Sequence, residues 1–411
     1  MNEKERKQFI MFEKIVQEEV SQKLAARRLN VTDRWVRKKL KRYKELGAKG
    51  LVHLNRGRTS KRKWCIKEQQ LTTNLLKNEW HGFSLSFTVE KLKEQFDITV
   101  SRETLRRTLM SQGMWKTRRS RPKHRRWRER KHIRGIMIQL DGSPHDWFEG
   151  RGPYCTLLVF IDDATSKLLW LEFVPSESLH SVMKAERNYL ERYGIPQSFY
   201  VDYGSVFSVN TNNPEREKIT QFERANKELG TTIIHARSPQ AKGRVERANK
   251  TLQDRLVKEM RLRKISSIEG ANHFAQNEYL AMHNKRFAVQ ATAPGDVHIP
   301  LGKNNLNTIL CIKETRILTN DYTLSYKCRL IQLERQQQAF IRPKYSISVY
   351  EHLDGKLSLW IRRIALNFKE IGIRKKQKLS PVEYVNYCKK SELKLLESRV
   401  KTAWPAAEAT F

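Results

Sequence analysis

Three carboxylates stand out in a chain otherwise crowded with cations. Asp141 closes an apolar, alternating stretch, "MIQLD", and Asp202 closes a second, "SFYVD", 61 residues further on. Glu246 lies 105 residues after Asp141, where the small, polar, basic loop "ARSPQAKGR" gives way to a long helical pattern. If the two strands are neighbours in one sheet, both aspartates project near the same edge. A loop containing Ser238, Pro239 and Gly243 can bring the helix of Glu246 against that edge. Bare carboxylates at short range raise each other's pKa, so three together are poorly tolerated. A divalent metal resolves the conflict, and hard oxygen ligands suit Mg²⁺ or Mn²⁺. Two such ions roughly 3.5–4 Å apart can activate an attacking oxygen and stabilise a leaving one in phosphoryl transfer. A plainer reading stays open for each residue alone. Acidic residues are common at strand ends, and Glu246 also suits the positive end of its helix.

The elements that must position these residues follow in order. "GIMIQLDGS", "YCTLLVFIDDAT" and "LLWLEFVPS" read as three strands joined by short turns, most simply an antiparallel meander. A helix from Ser178 to Gly194 comes next, stopped by Gly194 and Pro196. "QSFYVDYGS" is a fourth strand, a helix near Lys218 to Leu229 precedes a fifth, "TTIIHA", and a helix from about Val245 to Arg263 follows. The pattern predicts a mixed five-stranded α/β sheet flanked by helices. Asp162 and Asp163 end the second strand and read as turn or supporting residues. His145 and Asp146 lie in the loop after Asp141, within possible reach of a metal but more simply structural. Trp147 and Trp170 read as core or loop anchors.

The segments on either side are of different character. "SQKLAARRLNVTDRWVRKKLKRYKELG", Ser21 to Gly47, has the form of a helix-turn-helix. Leu24, Ala25 and Leu29 face inward on its first helix, and Thr32 caps the second. Trp35, Val36, Leu40 and Tyr43 share one face of that second helix, leaving Arg34, Arg37, Lys38 and Lys41 on the other. This is how a recognition helix enters a major groove. A second, winged unit is expected in Ser84 to Gly113. Ser101 starts its second helix, and Arg102, Arg106 and Arg107 lie off the apolar side of Thr104, Leu105 and Leu109. Basic linkers run from Leu54 to Lys63 and from Lys116 to Arg134, the latter with eleven Lys/Arg and one Glu. Near the C-terminus, alternating strands joined by Asp354-Gly355, a hairpin signal, predict a small all-β barrel. The expected domains are helix-turn-helix 1–55, winged helix-turn-helix 56–115, linker 116–134, catalytic core 135–300, SH3-like barrel 305–368 and basic tail 369–411.

Composition agrees with a polyanion partner. Lys and Arg number 80 against 44 Asp and Glu, a formal net charge of +36 in 411 residues. With 39% hydrophobic residues, real cores can form. No apolar run reaches the roughly 18 residues of a membrane helix, and "MNEKERKQF" lacks the apolar core of a signal peptide. An intracellular, cytoplasmic protein is therefore expected. The five cysteines are scattered without a Cys-x-x-Cys pair, which argues against a zinc site or a disulfide framework.

The stretch from Ile136 to Leu262 resembles the integrase-type catalytic core of DDE transposases, a ribonuclease H-like fold. The resemblance is nearest to bacterial insertion-sequence transposases of the ISNCY and related groups. It is carried by "QLDGSPHDWF" around Asp141, "VDYGSVF" around Asp202 and "SPQAKGRVERANKTLQDRL" around Glu246. The resemblance implies that Asp141, Asp202 and Glu246 form a catalytic, metal-binding triad, holding two Mg²⁺ or Mn²⁺ ions. It also implies binding to the terminal inverted repeats of an element, strand cleavage by activated water, and attack of the freed 3′-hydroxyl on target DNA by a homo-oligomer. Arg244, Arg247 and Lys250 are expected to meet phosphate. Two departures accompany it: the spacing from Asp202 to Glu246 is long, with the extra residues in Ser208 to Lys218. Gln253 stands where relatives carry Lys or Arg, and Lys250 could take over that role. A DNA-binding regulator descended from such an enzyme is the alternative function; an intact triad argues against it.

Overall fold

The computed structural model describes residues 3–53, 55–56, 64–116, 128–209, 219–236 and 242–373. The Leu54–Lys63 linker, most of the Lys116–Arg134 linker, most of the expected 208–218 insertion, the loop at 237–241 and the tail beyond 373 lie largely or wholly outside these residues. The chain divides into two compact units, 1–118 and 119–411.

In the first unit, α1 (Glu3–Val16), α2 (Gln22–Leu29) and α3 (Asp33–Leu46) enclose Phe12, Ala26, Val36, Leu40 and Leu51. The α2–α3 corner is made by capping chemistry. Ser21 accepts from the Leu24 amide, Asn30 turns the chain at φ 52°, and Thr32 accepts from the Trp35 amide at 3.2 Å. Arg34, Arg37, Lys38 and Lys41 are exposed, as the sequence pattern requires. Leu24 is not inward: it is exposed, and Ala26 takes the buried place beside Ala25. Only one helix face can meet α1, and the two alanines let the helices approach closely.

The second helical pair repeats the device after α4 (Ile66–Lys77). Ser84 caps α5 (Leu85–Phe96), Asp97 turns the chain at φ 53°, and Ser101 caps α6 (Arg102–Ser111) through the Thr104 amide. Leu105 and Leu109 are buried, whereas Thr104 is exposed. Arg106 and Arg107 both bond Glu103, which holds its exposed carboxyl down at about 2.

The second unit is built on β1 (Ile138–His145), β2 (Cys155–Asp162), β3 (Leu168–Val174), β4 (Ser198–Val201) and β5 (Thr232–His235), in the order β3-β2-β1-β4-β5. The first three strands are antiparallel and the last two run parallel to β1, so the expected mixed sheet is present. Between β3 and β4 runs α7 (Leu179–Tyr193), opened by a Ser178 capping box and closed at Gly194. Between β4 and β5 runs α8 (Gln221–Leu229). These two helices cover the sheet face of Ile138, Leu140, Leu158 and Phe160. On the opposite face, Leu157, Val159 and Ile161 pack against α9 (Gly243–Leu262), α10 (Ile268–Phe274) and α11 (Leu280–Phe287).

One expectation about β1 needs correcting. Asp141 does not close the strand: β1 pairs with β2 through all eight residues to His145, despite Gly142, Ser143 and Pro144. Local propensity is poor there, but the wholly buried β2 supplies the partner that overrides it. The end of the expected linker is also ordered, since Arg128 and the Lys131 amide bind the buried Asp163.

After α12 (Leu306–Ile309), where a small barrel was expected, the strands form two small sheets. They comprise β6 (Ile312–Ile317), β7 (Thr323–Tyr326), β8 (Arg329–Leu333), β9 (Ser346–Glu351), β10 (Leu357–Ile361), β11 (Ile364–Leu366) and β12 (Phe368–Ile373). Their core holds Leu318, Tyr326, Ile331, Ile347, Val349 and Leu359. Asp354 and Gly355 make the β9–β10 turn, with Gly355 at φ 78°. β12 crosses the expected boundary at 369: it pairs with β8, extending the unit to Ile373.

Candidate active site

The sheet register settles the relation between the two aspartates. Ile138 and Gln139 of β1 lie level with Phe199 and Tyr200 of β4 in parallel pairing. Continuing that register by two residues sets Asp141 level with Asp202. Side chains alternate along a strand, so Asp141 shares a face with Gln139 and Ser143, and Asp202 with Tyr200. Asp141 is also paired with Val159, whose side chain lies on the α9 side. Both carboxylates therefore stand on the α9 face of the sheet.

Helix α9 is laid along β1 by a ladder of polar contacts. The Val245 amide donates to Gln139 Oε1 at 3.2 Å, Asn249 Nδ2 to Asp141 Oδ2 at 2.8 Å, and Gln253 Nε2 to Ser143 Oγ at 3.1 Å. Lys242, Glu246, Asn249 and Gln253 are spaced four, three and four residues apart, so they form one stripe along the helix. Glu246, half-buried, stands on that stripe between two residues that both bond Asp141.

Lys242 is the closest cation. Its buried Nζ donates to Asp141 Oδ1 at 2.7 Å and lies 3.8 Å from Asp202 Oδ2. Asp202 Oδ1 accepts from the Gly204 amide, which fixes the carboxylate, and half of the Asp202 side chain remains exposed. Burial pushes the Asp141 carboxyl up. The charge and hydrogen bond of Lys242 oppose that shift, Asp202 adds to it, and Asn249 opposes it. Among the described residues, no group of three carboxylate, imidazole or thiolate side chains is gathered tightly enough to hold a metal ion.

A further carboxylate lies close by. Glu177, just before α7, packs over Gly142, where any Cβ would overlap its carboxylate. Burial raises its pKa first, then Asp202 and Asp141 add to the rise. Nothing local in the sequence marks Glu177, or Lys242 as its counter-charge, because both reach Asp141 from elements distant along the chain. The only trace is the glycine following Asp141.

The remaining candidates separate clearly. Asp163 is fully buried and binds Arg244, Arg128, Gln139 and the Lys131 amide. Arg244 is thus turned inward rather than toward solvent, whereas Arg247 and Lys250 are exposed. Asp162 caps its own turn through the Thr165 amide at 2.8 Å. His145 packs edge-on against the buried Trp147, and Asp146 accepts from the Gly150 amide. Trp147 donates to the Ser143 carbonyl and Trp170 to Glu172, which makes both anchors. Gln253 is engaged with Ser143.

The chain is 36% identical, over 362 residues, to a Sinorhizobium fredii protein described as transposase y4bF, covering 87% of this chain and 79% of that one. It is 28% identical over 407 residues to the transposase for insertion sequence IS1202 of Streptococcus pneumoniae, covering 89% and 86%. The chain belongs to the insertion-sequence transposases. No protein-family model matches this transposase. Among solved structures, the HTLV-2 integrase catalytic core domain in complex with magnesium is similar at 15% identity and a TM-score of 0.27, over 36% of this chain and 88% of that one. A simian T-cell lymphotropic virus intasome is similar at 13% identity and a TM-score of 0.32, over 74% and 99%. Among the described residues of the transposase, no helix is long and apolar enough to cross a membrane.

Proposed function

We propose that this transposase binds the terminal inverted repeats of its insertion sequence and catalyses metal-dependent DNA strand cleavage and strand transfer. The observation that carries the reading is the Lys242 ammonium meeting both Asp141 and Asp202, whose strands run in parallel register at Gln139 and Tyr200, with the stripe of Glu246 lying along β1. The donor set suits a hard divalent cation. A cation, the Lys242 ammonium, already sits against both carboxylates, and the buried Asn249 Oδ1 is an acceptor without a partner. Asp141, Asp202 and Glu246 would hold Mg²⁺ or Mn²⁺, as two ions. Such ions, when bound, supply an activated oxygen nucleophile and neutralise charge on the scissile phosphate.

The chain's own residues do the rest. Asn249 orients Asp141, and the half-exposed Asp202 leaves one side open to DNA. Arg247 and Lys250, exposed on α9, meet phosphate. The helix-turn-helix units present Arg34, Arg37, Lys38 and Lys41 from α3, and Arg102, Arg106 and Arg107 from α6, to the element ends. Two ends must be held at once, so the protein works as a homo-oligomer on DNA, in the cytoplasm.

The test is a Mg²⁺-dependent cleavage and joining assay on duplexes carrying the element's ends. Glu246→Gln should reduce both steps by on the order of 100-fold or more, since even residues behind a metal ligand cost 10–100-fold. Full activity in that variant removes Glu246 from the triad. A wild-type protein that binds the ends but never cuts is a regulator instead.

A further inference from the structure

The Lys242 ammonium has an unusual position for a cation in a DNA-binding protein. It is buried, it donates to Asp141, and it faces Asp202 across 3.8 Å. It stands at the start of α9, one turn before Glu246, so the same helix carries both the counter-ion and the third acid. Two carboxylates on one face of a sheet, one of them mostly desolvated, need a compensating charge. Lys242 supplies one such charge.

We propose that Lys242 is a resident counter-ion that competes directly with the divalent metal for Asp141 and Asp202, so that metal loading requires its displacement. The inference rests on the reading of this pair as metal ligands. A cation with ligand distances near 2.0–2.1 Å would need the space against Asp141 Oδ1 that Nζ holds at 2.7 Å. Neither cation can share that space with the other, because like charges so close repel strongly. The competition weakens metal binding in the free protein and leaves additional oxygen ligands, such as a DNA phosphate, to tip the balance. The transposase would thus load its metal mainly on substrate. It would also stay folded without metal, since Lys242 offsets part of the pair's negative charge.

The experiment is a calorimetric titration of the full-length protein with Mn²⁺, without DNA, for wild type, Lys242→Met and Lys242→Arg, with thermal melts in EDTA and in saturating Mn²⁺. Removing the ammonium at near-equal volume should tighten Mn²⁺ binding by on the order of 10-fold, the usual scale of coupling between two competing ligands. The Lys242→Met protein should melt earlier than wild type in EDTA and recover in Mn²⁺, while Lys242→Arg stays near wild type in both. A merely structural lysine would not raise metal affinity when removed. Binding of Mn²⁺ by Lys242→Met that is equal to or weaker than wild type overturns the competition and leaves the metal site standing. If neither protein binds Mn²⁺, or Asp141→Asn binds it as well as wild type, the metal-site reading fails and takes this proposal with it.

Discussion

At the residue scale, the site is a balance between buried acids and the few cations that reach them. Asp163 is saturated by two arginines and a glutamine amide, so it serves the scaffold. Asp141 has one lysine and one asparagine amide, a set that a stronger cation can replace. Burial also governs a carboxyl away from the site. Glu186 on α7 is wholly buried, and desolvation pushes it up to about 8, with Asn226 of α8 pulling weakly the other way. Between the ordinary carboxylate range and pH 8, folded Glu186 keeps a proton that the unfolded chain has released. Stability therefore falls as pH rises through that window and levels off above it. The loss is at most about 5 kcal/mol. Glu186→Gln keeps the side chain's size and removes the titration. Its melting temperature should fall less than that of wild type between pH 6.5 and 8 and exceed wild type at pH 9. A wild-type slope that survives the substitution would assign the titration elsewhere.

At the element scale, helix α9 and strand β1 act as one device. Gln139, Asp141 and Ser143 on alternate strand positions meet Val245, Asn249 and Gln253 along the helix. A slip of one residue in β1 would turn Asp141 to the opposite face, so the buried pairing of β1 with β2 is what aims the carboxylate. Helix α3 follows a simpler logic: its apolar stripe docks on α1 and its cations stay outside. Arg37→Ala should weaken binding to the element ends by about 1–3 kcal/mol if Arg37 reads a base, measured by anisotropy against a scrambled duplex. Equal loss on both duplexes would limit Arg37 to phosphate. Arg106 makes a poorer probe, since Glu103 competes for its guanidinium.

At the scale of the whole molecule, a net charge of +36 dominates how the protein meets DNA. Affinity for any duplex should fall linearly in a log–log plot against salt, and removing one phosphate-contacting lysine such as Lys41 should lower the slope by about one. An unchanged slope would place Lys41 off the DNA. Much of the architecture was legible in the chain because it is local. The caps at Thr32 and Ser101, the stop at Gly194 and the Asp354-Gly355 hairpin are chosen by a few neighbouring residues. The strand–helix order, with Asp141, Asp202 and Glu246 in it, was readable for the same reason, and the motifs around them pointed to the family. Tertiary structure decided what depends on contacts between distant residues. It carried β1 through Gly142-Ser143-Pro144 and turned Arg244 inward to Asp163. It also brought Glu177 and Lys242 to Asp141 across stretches of chain that no local pattern spans. Sequence periodicity reports which side of an element is apolar. Which buried charges face one another follows from packing alone, and in this transposase that packing sets a lysine between Asp141 and Asp202.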